Sequence, residues 1–346
     1  MSDKMSVEEN KTENAVLPET FAKRTAGTLI SESEMAARHQ RFISAATSEN
    51  TRRTYRSAIR HFHTWGGVLP CDSGAVLRYL LTYSDSLNPR TLALRLTALA
   101  QWHAFQGFPD PTTDPNVRKT LKGITRTHGK PKKKAKALPI EDMELIVAKL
   151  GPDTSLIAIR NNALIQIGFF GALRRSELAA LTVDELTWAP DGLVITLSRS
   201  KTDQEGRGVT KAIPYGSPDG ICCPVKALKR WLEAANITSG AVFRRITRWG
   251  VLGTDPLYGG TINAILEACA EAAALPYVPE LSSHSLRRGL ATSAHRSGAD
   301  FKDIKRQGGW RHDGTVQGYI DEADRFEANA ALTLLRRKEK NDTSKP

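Results

Sequence analysis

The feature that most restricts this chain is the spacing of its apolar residues between Ser31 and His128, which keeps returning to a step of three or four. Only an α-helix brings that spacing onto one face. Five helices are expected. The first runs through Met35, Phe42 and Ile43, and a cluster of cap-type residues, Ser48-Glu49-Asn50-Thr51, precedes the second. That second helix carries Tyr55, Ile59, Phe62 and Trp65 and is stopped by Gly66-Gly67. A third contains Val76, Leu77, Leu80 and Leu81, and a fourth Leu92, Leu96, Leu99, Trp102 and Phe105 before Gly107. A shorter one from about Pro115 holds Val117, Leu121 and Ile124. Joined by short turns, these make a compact helical domain over 31–129.

From Ala137 the pattern changes. Leu138-Pro139-Ile140-Glu141-Asp142 opens a helix, and Arg160 to Phe170 reads as a helix buried on nearly every side. Thr182–Trp188, Leu193–Ser198 and Val209–Pro214 alternate like strands, with Pro190-Asp191-Gly192 as the first turn. Further helices start near Pro224, Thr261, Ser283, Asp300 and Gly314, and a last one covers 324–337. The expected fold is mainly α with a small antiparallel β-sheet, a second domain spanning 137–346.

At 346 residues the chain has length for about two domains, each able to bury its own core. With 40% hydrophobic and 25% charged residues it is an ordinary globular composition, which excludes collagen, wholesale disorder and a disulfide scaffold. No apolar run reaches the roughly 18 residues a membrane helix needs. Residues 1–30 are polar and aperiodic, reading as a tail rather than a secretory signal, so a cytoplasmic, nucleoid-associated protein is expected. Cys71 and Cys269 stand alone and Cys222 and Cys223 are adjacent, the pattern of free thiols.

Lys and Arg number 49 against 37 Asp and Glu, a net charge of +12, which points to a polyanionic partner. The excess is concentrated in Val117–Lys136, which has no Asp or Glu. Its Lys130, Lys132, Lys133 and Lys134 form a basic linker over 130–136, suited to following a phosphate backbone. Arg52, Arg53, Arg90, Arg175 and Arg288 are further DNA-binding candidates. The sequence contains no G-x-x-x-x-G-K-[ST], no H-E-x-x-H and no His/Cys metal spacing, so neither a cofactor nor a metal is expected.

What stands out instead is a set of cationic motifs ahead of a late tyrosine: Arg174-Arg175-Ser176-Glu177, Lys201 at a hairpin tip, His284-Ser285-Leu286-Arg287, Gly308-Gly309-Trp310, and Tyr319. Carried in this order, they resemble the tyrosine recombinase (phage integrase) family. They match its R-x-[SG]-E, hairpin lysine, H-x-x-R, G-G-[HW] and nucleophile, with a Cre-like tryptophan at 310. The likeness runs from about Ser31 to Leu335, because the helical domain also looks like the family's SAM-like core-binding domain. It implies a C-terminal catalytic domain of the DNA breaking-rejoining fold and a site-specific recombinase that clamps duplex DNA. It also implies a homotetramer on two DNA sites that exchanges strands through a Holliday junction, with Arg174, Lys201, His284, Arg287, Trp310 and Tyr319 catalytic and Glu177 supporting an arginine.

Elementary chemistry agrees. Breaking DNA without metal or water needs a nucleophile that stores the phosphodiester bond covalently. A tyrosine can do so, but a phenol's ordinary pKa near 10 means that it must be activated. Arginine forks match the charged non-bridging oxygens of the transition state and stay protonated. Lysine, whose pKa is tunable, suits a proton donor to the leaving 5′-oxygen. His284 and Arg287, three apart, share one helical face. Lys211 on the same hairpin and nearby Arg199 are rivals to Lys201. Register selects Arg174 and Arg287 over their neighbours Arg175 and Arg288, which are left to face phosphate or solvent. Two other readings remain open at this level. Ser283–Gly298 followed by Phe301–Gln307 fits a helix-turn-helix regulator, and a type IB topoisomerase-like nicking-closing enzyme would use related residues.

Overall fold

The computed structural model describes residues 31–197, 208–326, 329–332 and 334–335. The tail over 1–30, the hairpin tip with Arg199 and Lys201, and much of the expected terminal helix lie outside the described residues. The chain divides into two compact units between Lys132 and Lys133.

Unit one contains α1 (Glu32–Ala46), α2 (Glu49–Thr64), α3 (Ser73–Thr82), α4 (Pro89–Gln106) and α5 (Pro115–His128). Side-chain caps start them: Ser31, Ser48, Asp72, Asn88 and Asp114 each accept a backbone N–H of the first turn. Pro89 and Pro115 occupy the start of their helices, where a missing N–H costs nothing. Phe62, Val76, Tyr79, Leu80, Leu92, Leu96, Leu99, Val117 and Ile124 form the core. The first helix departs from its expected role, since Met35 and Phe42 remain exposed. The core of this unit comes from α2 to α5.

Unit two begins with α6 (Ile140–Leu150) and α7 (Leu156–Phe170). Helix α7 is buried from Ala158 through Phe169, with Arg160, Asn161, Asn162 and Gln166 enclosed among its apolar residues. It ends at Phe170, and a turn in which Ala172 adopts φ +45° leads into a separate short helix, α8 (Arg175–Ala180). Arg174 therefore caps a new helix instead of extending the buried one.

Strands β1 (Leu186–Ala189), β2 (Gly192–Leu197) and β3 (Val209–Pro214) form an antiparallel sheet in sequence order. The first is shorter than the alternation over Thr182–Trp188 suggests. Its opening residues form a 3-10 turn in which the Glu185 carboxylate accepts the Thr182 N–H at 3.1 Å. Next come α9 (Pro224–Ala234) and a second hairpin, β4 (Arg244–Ile246) with β5 (Leu252–Pro256). Strands this short show too little alternation to be read from sequence, and the periodicity gives no sign of that hairpin. Helices α10 (Thr261–Ala272), α11 (Ser283–Arg296), α12 (Phe301–Gly308) and α13 (Asp313–Ala323) complete the unit.

Two apolar clusters hold the unit together. The larger packs α6, α7, α9, α10 and the sheet around Leu164, Ile195, Trp231 and Phe243. The smaller joins α11, α12 and α13 through Ala291, Ile304, Trp310, Val316 and Ile320, with Tyr319 against it. Helix α11 bridges both. Its Gly289 lies against the segment entering the domain, where a Cβ would sit 2.0 Å from the Leu138 carbonyl oxygen and 2.8 Å from the Phe169 ring. No rotamer relieves a clash with backbone. Gly289→Ala is therefore expected to lower unfolding free energy by about 2–4 kcal/mol, somewhat beyond ordinary overpacking. Urea denaturation checks this, and a loss within about 0.5 kcal/mol would show that α11 is free to shift.

Candidate active site

The site is assembled from α8, β3, α11, the turn after α12, and α13. Its base is Glu177, in the first turn of α8, with a side chain only 3% exposed. One carboxylate oxygen accepts the backbone N–H of Arg174 at 2.8 Å and the other accepts its guanidinium Nη1 at 2.6 Å. This is why an acid three residues after the arginine is needed: it satisfies an unpaired N–H at the helix start and orients the guanidinium in one stroke.

Arg287 comes from the buried face of α11 and is 3% exposed. Its Nη1 donates to the carbonyl of Ala172, in the left-handed turn that leads to Arg174. Its guanidinium lies over the Trp310 ring, 4.3 Å from the centroid. Burial, then the neighbouring Arg174 charge, pull its pKa down to about 10, so it stays charged at neutral pH. Among the described residues its Nη2 has no hydrogen-bond partner. A buried cationic donor without an acceptor is expensive, and an anion is the group that would satisfy it. His284 stands one turn earlier on the same helix and is exposed.

The glycines of Gly308-Gly309-Trp310 are required by space and by backbone. A Cβ on Gly308 would fall 1.7 Å from the Trp310 ring, and Gly309 takes φ +63° to close α12. Trp310 is 8% exposed and meets the Tyr319 ring edge-on at 5.7 Å. Tyr319, half-buried on α13, also has the Arg288 guanidinium over its ring at 5.0 Å.

Arg288 corrects an expectation. It does not face solvent or an external phosphate: its side chain is 6% exposed and its Nη2 pairs with Glu322 at 2.5 Å. It holds α13 to α11 directly after Tyr319, and His295 with Asp324 makes a second such link at 2.7 Å. The basic candidates Arg53, Arg90, Lys130, Lys132, Lys133, Lys134 and Arg175 are exposed. Arg52 is half-buried and paired with Glu49 at 2.7 Å.

One residue of the cluster lies outside the motifs, which favour Lys201 as the hairpin lysine. Lys211 lies on β3, is 3% exposed, and donates from Nζ to the Gln307 carbonyl at 2.5 Å. Its signal in the sequence is the strand's own alternation, which puts Lys211 on the inward face with Ile213. Gln307 in turn donates to the carbonyls of Phe170 at 2.7 Å and Ala212 at 3.1 Å, so the end of α12 is fastened to α7 and β3. Among the described residues, no group of His, Cys, Asp and Glu is placed to hold a metal. No described helix is long and apolar enough to cross a membrane.

Residues 136–325 match the phage integrase family. The chain is 33% identical over 304 residues to the integrase/recombinase xerD homolog of Selenomonas ruminantium, an alignment covering 86% of this chain and 88% of that protein. It is 25% identical over 167 residues to the tyrosine recombinase XerC of Bifidobacterium longum, covering 46% and 42%. Among solved structures it is similar to a lambda integrase dimer bound to a COC′ core site, with TM-score 0.55, 15% identity, and 90% and 82% of the two chains covered. The XerH recombinase in its post-cleavage complex with palindromic difH gives 0.54 at 17% identity, with 80% of each chain covered. At such identities these structures share the fold. The chain belongs to the phage integrase family. It is a tyrosine recombinase, which sets aside the helix-turn-helix regulator even though α11 and α12 supply its two helices.

Lys211 also makes stability depend on pH. Burial, followed by the Arg287 charge, pushes its ammonium down to about 7, against the opposing pull of Glu177. Between about pH 7 and the ordinary lysine value near 10.4, the unfolded chain then binds more protons than the folded one. The destabilisation is complete below that window and is relieved as pH rises through it. Lys211→Met should therefore gain stability over wild type most clearly at about pH 6.5. The gain should shrink by up to about 1.4 kcal/mol per pH unit toward about pH 9.5, measured by urea unfolding at both ends. A difference that does not change with pH would mean that Lys211 keeps its proton throughout.

Proposed function

We propose that this recombinase is site-specific and cuts duplex DNA through a 3′-phosphotyrosyl intermediate. The Tyr319 hydroxyl gives up its proton to water as it attacks the scissile phosphorus, the tyrosyl O–P bond forms as the bond to the 5′-oxygen breaks, and Lys201 supplies the proton that the leaving oxygen takes. Arg174, Arg287 and His284 hold the non-bridging oxygens. Glu177 fixes Arg174, and Trp310 packs between Arg287 and the nucleophile. Attack by the 5′-hydroxyl of a second duplex reverses the step and releases the tyrosine, so no external energy source is consumed. The observation that carries this reading is the meeting of two arginines, one with an unpartnered buried Nη2, with a tyrosine across a shared tryptophan. Arg53, Arg90, Lys130, Lys132, Lys133, Lys134 and Arg175 are the candidate contacts to the DNA backbone, in a cytoplasmic, nucleoid-associated protein.

A nicked suicide duplex, built on sequence recovered by binding selection from a random pool, tests the chemistry. Wild type should trap a covalent adduct that Tyr319→Phe cannot form. With sulfur replacing the bridging 5′-oxygen, a leaving group that needs no proton, Lys201→Ala should recover cleavage. Arg287→Ala should not, having lost on the order of 3 kcal/mol of transition-state stabilisation. A normal adduct in Tyr319→Phe, or equal rescue of both variants, would refute the assignment.

The assembly is proposed to be a tetramer on two sites, with strand exchange through a Holliday junction. A lambda integrase tetramer bound to a Holliday junction is similar in fold, with TM-score 0.52 and 15% identity. Beyond α13, Phe326 is 80% exposed and Leu334 and Leu335 are each 68% exposed. Apolar side chains left in water after the nucleophile helix support docking in a neighbour, passed around a closed ring. A chain truncated after Asp324 should bind one site as wild type does, yet form no four-subunit complex by analytical ultracentrifugation. Tetramers of the truncated protein would exclude docking in trans.

A further inference from the structure

Lys211 has no part in the proposed strand cleavage, and a buried lysine is rare enough to need a reason. Three cations, Arg174, Arg287 and Lys211, meet around Glu177, the one buried carboxylate among the described residues. That carboxylate is already engaged with Arg174. Lys211 has only the neutral Gln307 carbonyl as an acceptor among the described residues. The cluster is thus over-supplied with positive charge when no anion is bound. Arginine cannot relieve the excess by losing its proton, whereas lysine can.

Occupation of the arginine pair reverses the balance. A phosphodiester placed against the unpartnered Nη2 of Arg287 brings a negative charge beside Lys211 and favours its ammonium form. We propose that Lys211 is a positioning residue that holds its proton weakly while the arginine pair is empty and draws proton from solvent when a phosphodiester binds there. Protonation strengthens its bond to the Gln307 carbonyl, the residue directly before Gly308-Gly309-Trp310, and so tightens the turn on which Arg287 and Tyr319 both rest. The inference depends on the reading of Arg174 and Arg287 as the phosphate site.

The local groups are consistent with a switch of this kind. Among the described residues, those facing Lys211 are Arg174 and Glu177 at the start of α8 and Arg287 from α11, while α12 presents the Gln307 carbonyl. Burial and the two arginines bring the lysine to about 7, within reach of a single added charge.

The test follows the lysine itself in the full-length protein. With lysines labelled by 13C at Cε, NMR titration in sodium chloride should show one resonance with a midpoint near 7 that disappears in Lys211→Arg. In sodium sulfate at equal ionic strength, that midpoint should rise by about one pH unit, a tenfold gain in proton affinity. The Trp310 indole N–H, in the ring beneath Arg287, reports independently whether sulfate occupies the site. If it responds and the lysine midpoint does not, Lys211 takes up no proton and the proposal fails alone. If the indole is silent, the arginine pair binds no anion, and the phosphate-site reading falls together with it. The absence of any lysine midpoint below about pH 9 in wild-type protein would overturn the proposal without further variants.

Discussion

Glu177 is the point on which the catalytic unit depends electrostatically. It is one carboxylate, nearly sealed from water, beside two arginines and a lysine. Withdrawing one charge from water costs several kcal/mol, and a cluster of like charges costs more. The fold tolerates this because each cation is tied to backbone or to the carboxylate. Arg174 is held by Glu177, Arg287 by the Ala172 carbonyl, and Lys211 by that of Gln307. The acceptors come from the turn after α7 and the end of α12, so the site binds together segments distant in sequence. Within this cluster, and among the described residues, Nη2 of Arg287 is a buried donor without a partner. Pre-arranged charge of this kind is what a reaction that builds negative charge on phosphate oxygens needs, since no reorganisation is required when the substrate arrives.

Tyr319 is placed by different forces. Tyr319 sits on a small apolar cluster shared by α11, α12 and α13, with Trp310 between it and Arg287. Arg288 and His295 clamp the following turn through Glu322 and Asp324. Helix α11 therefore serves both parts of the site. Arg287 points into the charged cluster, and Arg288 holds the helix bearing the tyrosine.

Much of this was legible in the chain. The helical step over 31–129, the strand alternation of Val209–Pro214 and the buried run ending at Phe170 each reported their element, because periodicity is a local consequence of backbone geometry. The motif residues Arg174, Arg287, Trp310 and Tyr319 do converge, and Glu177 does hold Arg174. Less was legible where the deciding contact is remote. Adjacent residues on a helix point in directions about 100° apart, so Arg287 and Arg288 are both buried but serve different partners, and only the position of Glu322 shows which.

The sequence by itself determined that the chain makes helices around two separate cores, carries a basic excess, and bears a set of residues suited to covalent phosphoryl transfer. Those properties reside in residue type and spacing. Tertiary structure alone decided that Arg174 caps a new helix, that Arg288 turns inward, and that Lys211 joins the cation cluster. The physical reason is the same in each case. The energy of a buried charge is set by which groups the fold brings within a few ångströms, and those groups are supplied by segments as far apart as Lys211 and Gln307.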